Sequence, residues 1–179
     1  MLFSSLGISR NLLHRTNELG FKEPTPIQQQ VIPEILRQKD VLGIAQTGSG
    51  KTAAYVLPIL SLLEKKEKAR NRAVEALILV PTRELAAQVQ EVIGLFSSSL
   101  DPRLKSMAVF GGVSINPQMK ALIGVRVLVA TPGRLIELLD SNALSLDEVQ
   151  FLVLDEADKM LNLGFKEEVA TILKRLPRK

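Results

Sequence analysis

Ala45-Gln46-Thr47-Gly48-Ser49-Gly50-Lys51-Thr52 decides how the rest of the chain is read. A short apolar run, Val41 to Ile44, precedes it, and Ala53-Ala54-Tyr55-Val56-Leu57, which reads as a helix, follows. Strand, glycine-bearing turn, Lys-Thr and helix, in that order, are the setting a phosphate-binding P-loop requires. Gly48 and Gly50 allow backbone conformations closed to other residues, so successive N–H groups can curl around a phosphate. The new helix adds its unpaired amides and the positive end of its dipole. Lys51 supplies a compact cation for the outer phosphates, and the Thr52 hydroxyl is a hard oxygen ligand for Mg²⁺.

The bulk properties narrow the field. A chain of 179 residues suffices for one α/β domain and is short for two. Hydrophobic residues make up 46%, as in folded rather than disordered chains. The formal charge of +4 is compatible with a polyanionic partner without demanding one. The absence of cysteine excludes disulfides, zinc fingers and thiol chemistry. The only histidine, His14, disfavours a histidine-based metal site or a Ser-His-Asp triad. No apolar run approaches a membrane span. Met1-Leu2-Phe3-Ser4-Ser5 lacks the basic flank and apolar stretch of a signal peptide, so a cytoplasmic location is expected.

Outward from the P-loop, the N-terminal side reads as helix over Ser4 to Leu19, with Ser9 able to cap and Gly20 able to end it. In Phe21-Lys22-Glu23-Pro24-Thr25-Pro26-Ile27-Gln28, Thr25 is placed as an N-cap and Pro26 at the first helical position. Gln28 then sits on the first turn, and its amide offers the donor and acceptor that match the N6/N7 edge of adenine. Phe21 could stack on the same base. On the C-terminal side, Glu64 to Arg72 is a mixed charge run of the kind that forms a solvated connection.

Four further apolar runs behave alike. Ala76 to Val80 ends in Pro81-Thr82-Arg83-Glu84-Leu85, and Ser106 to Phe110 in Gly111-Gly112-Val113-Ser114. Val125 to Val129 ends in Ala130-Thr131-Pro132-Gly133-Arg134, and Phe151 to Leu154 in Asp155-Glu156-Ala157-Asp158. Continuous β-branched and leucine runs suit strands buried on both faces, joined by crossover helices. The fold class expected is α/β, a doubly wound, mainly parallel sheet flanked by helices. Ligands in such folds lie beyond the carboxyl ends of the strands, so all these polar clusters should share one rim.

Each cluster has a chemistry. In P-loop proteins the acidic residue closing a strand, here Asp155, holds the Mg²⁺ that Thr52 also serves, and Glu156 is placed to orient and deprotonate water attacking the γ-phosphate. Asp158 fits better as a link to another motif than as a metal ligand. Thr82-Arg83 and Thr131-Pro132-Gly133-Arg134 are helix starts with an arginine, and Gly112-Val113-Ser114 is a candidate third. Several anion sites along one rim suggest a chain of phosphates, gripped without reading bases.

Together these segments resemble the N-terminal RecA-like domain of DEAD-box ATP-dependent RNA helicases. The likeness covers essentially the whole chain: Phe21 and Pro24 to Gln28 as the Q motif, Ala45 to Thr52 as motif I, Pro81 to Leu85 as motif Ia, Gly111 and Gly112 as the GG element, Thr131 to Arg134 as motif Ib, and Asp155 to Asp158 as motif II. Gly111 to Met119, GGVSINPQM, is most similar to the bacterial RhlE-type branch. The resemblance implies that Phe21 and Gln28 recognise adenine and that Ala45, Gln46, Thr47, Gly48, Ser49, Gly50, Lys51 and Thr52 hold the rest of ATP. It implies that Lys51, Asp155 and Glu156 hydrolyse ATP, with Mg²⁺ on Thr52 and Asp155. Pro81, Thr82, Arg83, Gly111, Gly112, Thr131, Pro132, Gly133 and Arg134 would grip the RNA backbone, and Asp158 would couple to the family's Ser-Ala-Thr motif.

That motif does not follow Asp158 before Lys179, and the second RecA-like domain is not in the sequence. A monomeric N-terminal domain of a longer protein is therefore expected, binding ATP or ADP weakly, hydrolysing little and unwinding nothing. The same residues would serve an RNA clamp whose output is binding rather than strand separation. A nucleotide switch with a protein partner is the reading of a different class.

Overall fold

The chain opens with a 3₁₀ turn, Phe3–Ser5, and then α1, Arg10–Glu18. The single helix expected over this stretch is divided at Gly7, whose φ of +86° no right-handed helix accommodates. Ser9 caps α1, its hydroxyl accepting from Leu12 N at 3.4 Å, and Gly20 at φ +79° follows its end, both as expected. Thr25 is the N-cap of α2, Pro26–Leu36, with Pro26 first in the helix. α3, Lys51–Glu64, begins directly after Gly50. Then come β1, Ala76–Leu79; α4, Arg83–Ser97; β2, Ser106–Val109; α5, Ile115–Ala121; and β3, Val127–Ala130. α6, Pro132–Asp140; β4, Phe151–Leu154; α7, Ala157–Asn162; and α8, Lys166–Lys174, complete the order.

This computed structural model describes residues 2–66, 73–100 and 104–177. Most of the charge run expected as a connection, residues 67–72, lies outside them. Two compact units are distinguished, Met1–Glu67 with Val92–Leu104, and Lys68–Glu91 with Lys105–Lys179.

In the first unit α2 packs on α3. α3 is buried on nearly every side, including Ala53, Val56, Leu57, Leu60 and Leu63, which is why its sequence is apolar all round. Ser61 Oγ accepts from Ser9 N at 2.8 Å, and Arg15 Nε donates to Leu95 O at 2.8 Å, so α1 is tied to α3 and to the last turns of α4.

The strand expected at Val41 to Ile44 is not formed. The segment is irregular, and Leu42 and Ile44 are 88% and 86% exposed. A strand exists through its ladder, and among the described residues this run has no ladder partner.

The second unit holds a four-stranded, wholly parallel sheet in the order β2-β3-β1-β4. Leu77 and Leu79, Val109, and Leu128 and Ala130 enter one core with Leu135 and Leu138 of α6, Met160 of α7 and Ile172 of α8. The alternate residues Ala76, Ile78, Val127 and Val129 are equally buried. Burial on both faces explains the unbroken apolar runs of β1 and β3. Below the sheet, Glu75 and Arg126 form a buried two-pronged ion pair, with Arg126 Nη2 3.0 Å from Glu75 Oε2 and Nε bonded to Oε1. Glu75 O accepts from Gln150 N and Phe151 N, so the pair joins the entries of three strands.

Candidate functional site

In the first unit the glycine turn is built as its sequence requires. Gly50 is the N-cap of α3 at φ +88° and ψ 20°, a conformation that needs glycine. A second constraint comes from Gln28. Its Oε1 accepts from Thr25 N at 2.9 Å and its Nε2 donates to Gly50 O at 3.2 Å. A Cβ on Gly50 would lie 2.5 Å from that Nε2. Gln28 is only 2% exposed, yet each end of its amide keeps one bonding position, a donor on Nε2 and an acceptor on Oε1. The sequence pointed to adenine recognition by Gln28; its grip on the P-loop, 22 residues away, left no trace in spacing or composition.

Lys51 Nζ donates to Ala45 O at 2.5 Å, so the lysine closes the loop on itself. That bond uses one of the three ammonium donors and leaves two for a phosphate entering there. Ser49 Oγ is buried without a hydrogen-bond partner among the described residues. Phe21 packs edge-on to Phe3 at 6.3 Å and tilted to Phe96 at 5.6 Å, with 36% of its surface exposed.

In the second unit the strand register makes the rim. Val109, Ala130, Leu79 and Leu154 are aligned as one row across the four strands. The backbone continues that alignment: Thr131 N donates to Val109 O at 3.1 Å, Val80 N to Ala130 O at 3.0 Å, and Asp155 N to Leu79 O at 3.0 Å. Four expected clusters therefore emerge side by side, as the continuous-strand argument required. Thr82 Oγ1 accepts from Leu85 N at 3.2 Å and starts α4. Thr131 occupies the N-cap of α6, but its hydroxyl makes no cap bond.

Arg83 is 62% exposed and pairs with Glu84 at 2.8 Å; the hydrogen bond from Arg83 holds the Glu84 carboxyl below the usual carboxylate range. Gly112, at φ +80°, lies against it: a Cβ there would be 3.9 Å from Arg83 Nη1. A Cβ at Gly111 or Gly133 would meet nothing within 4 Å, and neither glycine has a left-handed φ, so the fold itself does not require them. Arg134 differs from Arg83. It is 6% exposed, with Nε donating to Glu137 Oε2 and Nη2 to Val113 O, both at 2.8 Å.

Glu156 is the N-cap of α7 at φ +53° and ψ 46°, a conformation unfavourable to a side-chain-bearing residue and concentrated at functional positions. Its Oε2 is 2.9 Å from Lys159 Nζ, and that hydrogen bond raises the pKa of the lysine. Asp158 lies in the first turn of α7. Among the described residues no group of three or more His, Asp or Glu could hold a metal unaided. The Thr52 hydroxyl in the first unit and the Asp155 carboxylate in the second are each hard oxygen donors of the type that suits Mg²⁺.

A parallel α/β sheet with an acidic pair at a strand end, in a chain that also carries a glycine phosphate turn, defines a P-loop nucleotide-binding class. Comparison with known proteins gives the family. The DEAD/DEAH box helicase model matches residues 25–179, and the chain belongs to that family. It is 46% identical over 178 residues to the DEAD-box ATP-dependent RNA helicase CshA of Streptococcus pneumoniae, covering 99% of this chain and 33% of that protein. It is 45% identical over 176 residues to the ATP-dependent RNA helicase DeaD of Escherichia coli, covering 98% of this chain and 27% of that protein. A DEAD box protein from the hyperthermophile Methanococcus jannaschii superposes with a TM-score of 0.89 at 40% identity, over 98% of this chain and 47% of that one. The yeast DEAD-box splicing factor Prp28 gives 0.88 at 39%, over 96% and 43%. The chain thus spans between a quarter and a third of the length of these curated relatives. Among the described residues no helix is long and apolar enough to cross a membrane.

Proposed function

We propose that this chain is the ATP-binding half of an ATP-dependent RNA helicase core. With a second RecA-like domain it couples ATP hydrolysis to local separation or remodelling of RNA duplexes in the cytoplasm. Phe21 and Gln28 recognise adenine, and Ala45 to Thr52 bind the phosphates, with Lys51 directed at the outer ones. Thr52 and Asp155 are the residues that would hold Mg²⁺, which would neutralise charge on the phosphates. Glu156 orients and deprotonates the attacking water, and Asp158 links motif II to the Ser-Ala-Thr segment of the longer protein. Pro81 to Arg83, Gly111, Gly112 and Thr131 to Gly133, with Arg134 behind them, serve the RNA backbone. The Gly111–Met119 stretch favours the RhlE-type branch of the family.

The observation that carries the RNA reading is the aligned row of strand ends in the second unit. It sets Thr82–Arg83, Gly111–Gly112 and Thr131–Gly133 side by side, with two glycines there that the fold does not require. Backbone-only contacts of that kind are sequence-blind. The nucleotide reading is tested by calorimetric titration of ATP, ADP and GTP into the wild-type chain, Gln28→Ala and Lys51→Ala. Adenine nucleotides should bind in preference to GTP, with the preference lost in Gln28→Ala and phosphate-dependent affinity lost in Lys51→Ala. Equal affinity of the wild type for ATP and GTP would remove Gln28 from base recognition.

A further inference from the structure

The Phe110–Ser114 turn, which carries Gly111 and Gly112, is held at both ends by buried side chains. Gln118 of α5, 8% exposed, donates from Nε2 to Phe110 O at 3.1 Å. Arg134 of α6 donates from Nη2 to Val113 O at 2.8 Å. Each leaves a buried polar atom, Gln118 Oε1 and Arg134 Nη1, without a hydrogen-bond partner among the described residues. Unmet buried donors and acceptors oppose folding, so stabilisation alone is a poor account of this pair. Arg134 is also poorly placed to neutralise a phosphate arriving from solvent. It is 6% exposed and already bound to the Glu137 carboxylate, whereas Arg83, beside Gly112, is 62% exposed.

We propose that Arg134 and Gln118 are positioning residues. They bracket the Gly111–Gly112 turn and hold its backbone in the attitude that meets RNA, while Arg83 supplies the charge that neutralises a phosphate. The proposal rests on the RNA-facing reading of the rim. Two consecutive glycines make a turn with much conformational freedom to lose on binding. Fixing Phe110 O and Val113 O on either side removes part of that loss beforehand.

The test measures affinity for a fluorescent single-stranded RNA oligonucleotide across a range of salt concentrations, and records the Gly111 and Gly112 amide resonances in RNA-free protein. Arg134→Ala and Gln118→Met should each weaken binding about tenfold, the scale of a lost pre-ordering term. Neither should change the slope of log affinity against log salt, and both should shift the two glycine amides. Arg134→Lys should not rescue, because lysine keeps the charge but loses the planar fork that joins Glu137 to Val113. Arg83→Ala should instead flatten the slope by about 0.7, one phosphate's worth on a single strand. The proposal is overturned if Arg134→Ala flattens the slope as Arg83→Ala does, if Arg134→Lys restores affinity, or if the glycine resonances do not move. A wild-type chain that binds no RNA even at low salt sinks the RNA reading itself, while the amide resonances still decide whether the two side chains hold the turn.

Discussion

Gly50 illustrates how one position can carry two unrelated constraints. Its φ of +88° excludes side chains by local sterics, and the Gln28 amide excludes them again by approach from α2. Gly50→Ala should therefore cost about 1–3 kcal/mol in backbone strain and lower the melting temperature by several degrees. It should also weaken ATP binding in the same titration, since the displaced Gln28 can no longer hold its place. A variant with unchanged melting and affinity would show that the tie between Gln28 and the loop has no consequence. At the rim, Glu84 is paired with Arg83 and, on the proposed RNA reading, would compete with RNA phosphates for it. The Arg83 hydrogen bond keeps the Glu84 carboxyl charged down through its lowered pKa, so the competition persists across the neutral range and is relieved only in acid. Glu84→Gln should accordingly raise RNA affinity about twofold at neutral pH and low salt, the scale of an exposed pair. Identical affinities in anisotropy titrations would rule the competition out.

Among the elements, β1 and β3 were the easiest to read from composition, because burial on both faces leaves no polar residue in the run. The same signal misled at Val41 to Ile44. Apolarity there states only that burial is favourable; a strand also needs a neighbour to bond with, and no residue type encodes the presence of that neighbour. The Glu75–Arg126 pair was equally invisible, since its partners are 51 residues apart and lie outside the strand cores. Glu75→Gln removes the carboxylate charge that faces the buried Arg126 guanidinium and should destabilise the chain by about 3–5 kcal/mol. Replacing both partners with leucine or methionine should recover most of that loss. Denaturant unfolding of the single and double variants checks this, and a mild single-variant effect would mean the pair is not buried in solution.

Over the whole molecule, the motif order made the family legible before any coordinates, and the comparisons bear it out. The chain accounts for between a quarter and a third of these curated relatives and under half of the matched solved chains. In P-loop GTPases an arginine finger supplied by another domain or protein can contribute about 10³–10⁵ in rate. The 179-residue chain should therefore bind ATP or ADP weakly and release phosphate slowly with or without RNA. Robust RNA-stimulated phosphate release from this chain would contradict its assignment as half of a core.

Residue types at fixed spacing were enough to name the phosphate turn, the acidic strand end, the helix starts and the parallel strands, because those features are local and their chemistry depends on a few neighbours in the chain. Partnership was not readable in this way. The grip of Gln28 on Gly50, the closure of Lys51 on Ala45 and the withdrawal of Arg134 behind Val113 all depend on groups brought together only by folding. A hydrogen bond requires two atoms within about 3 Å, and chain order alone carries no such distances.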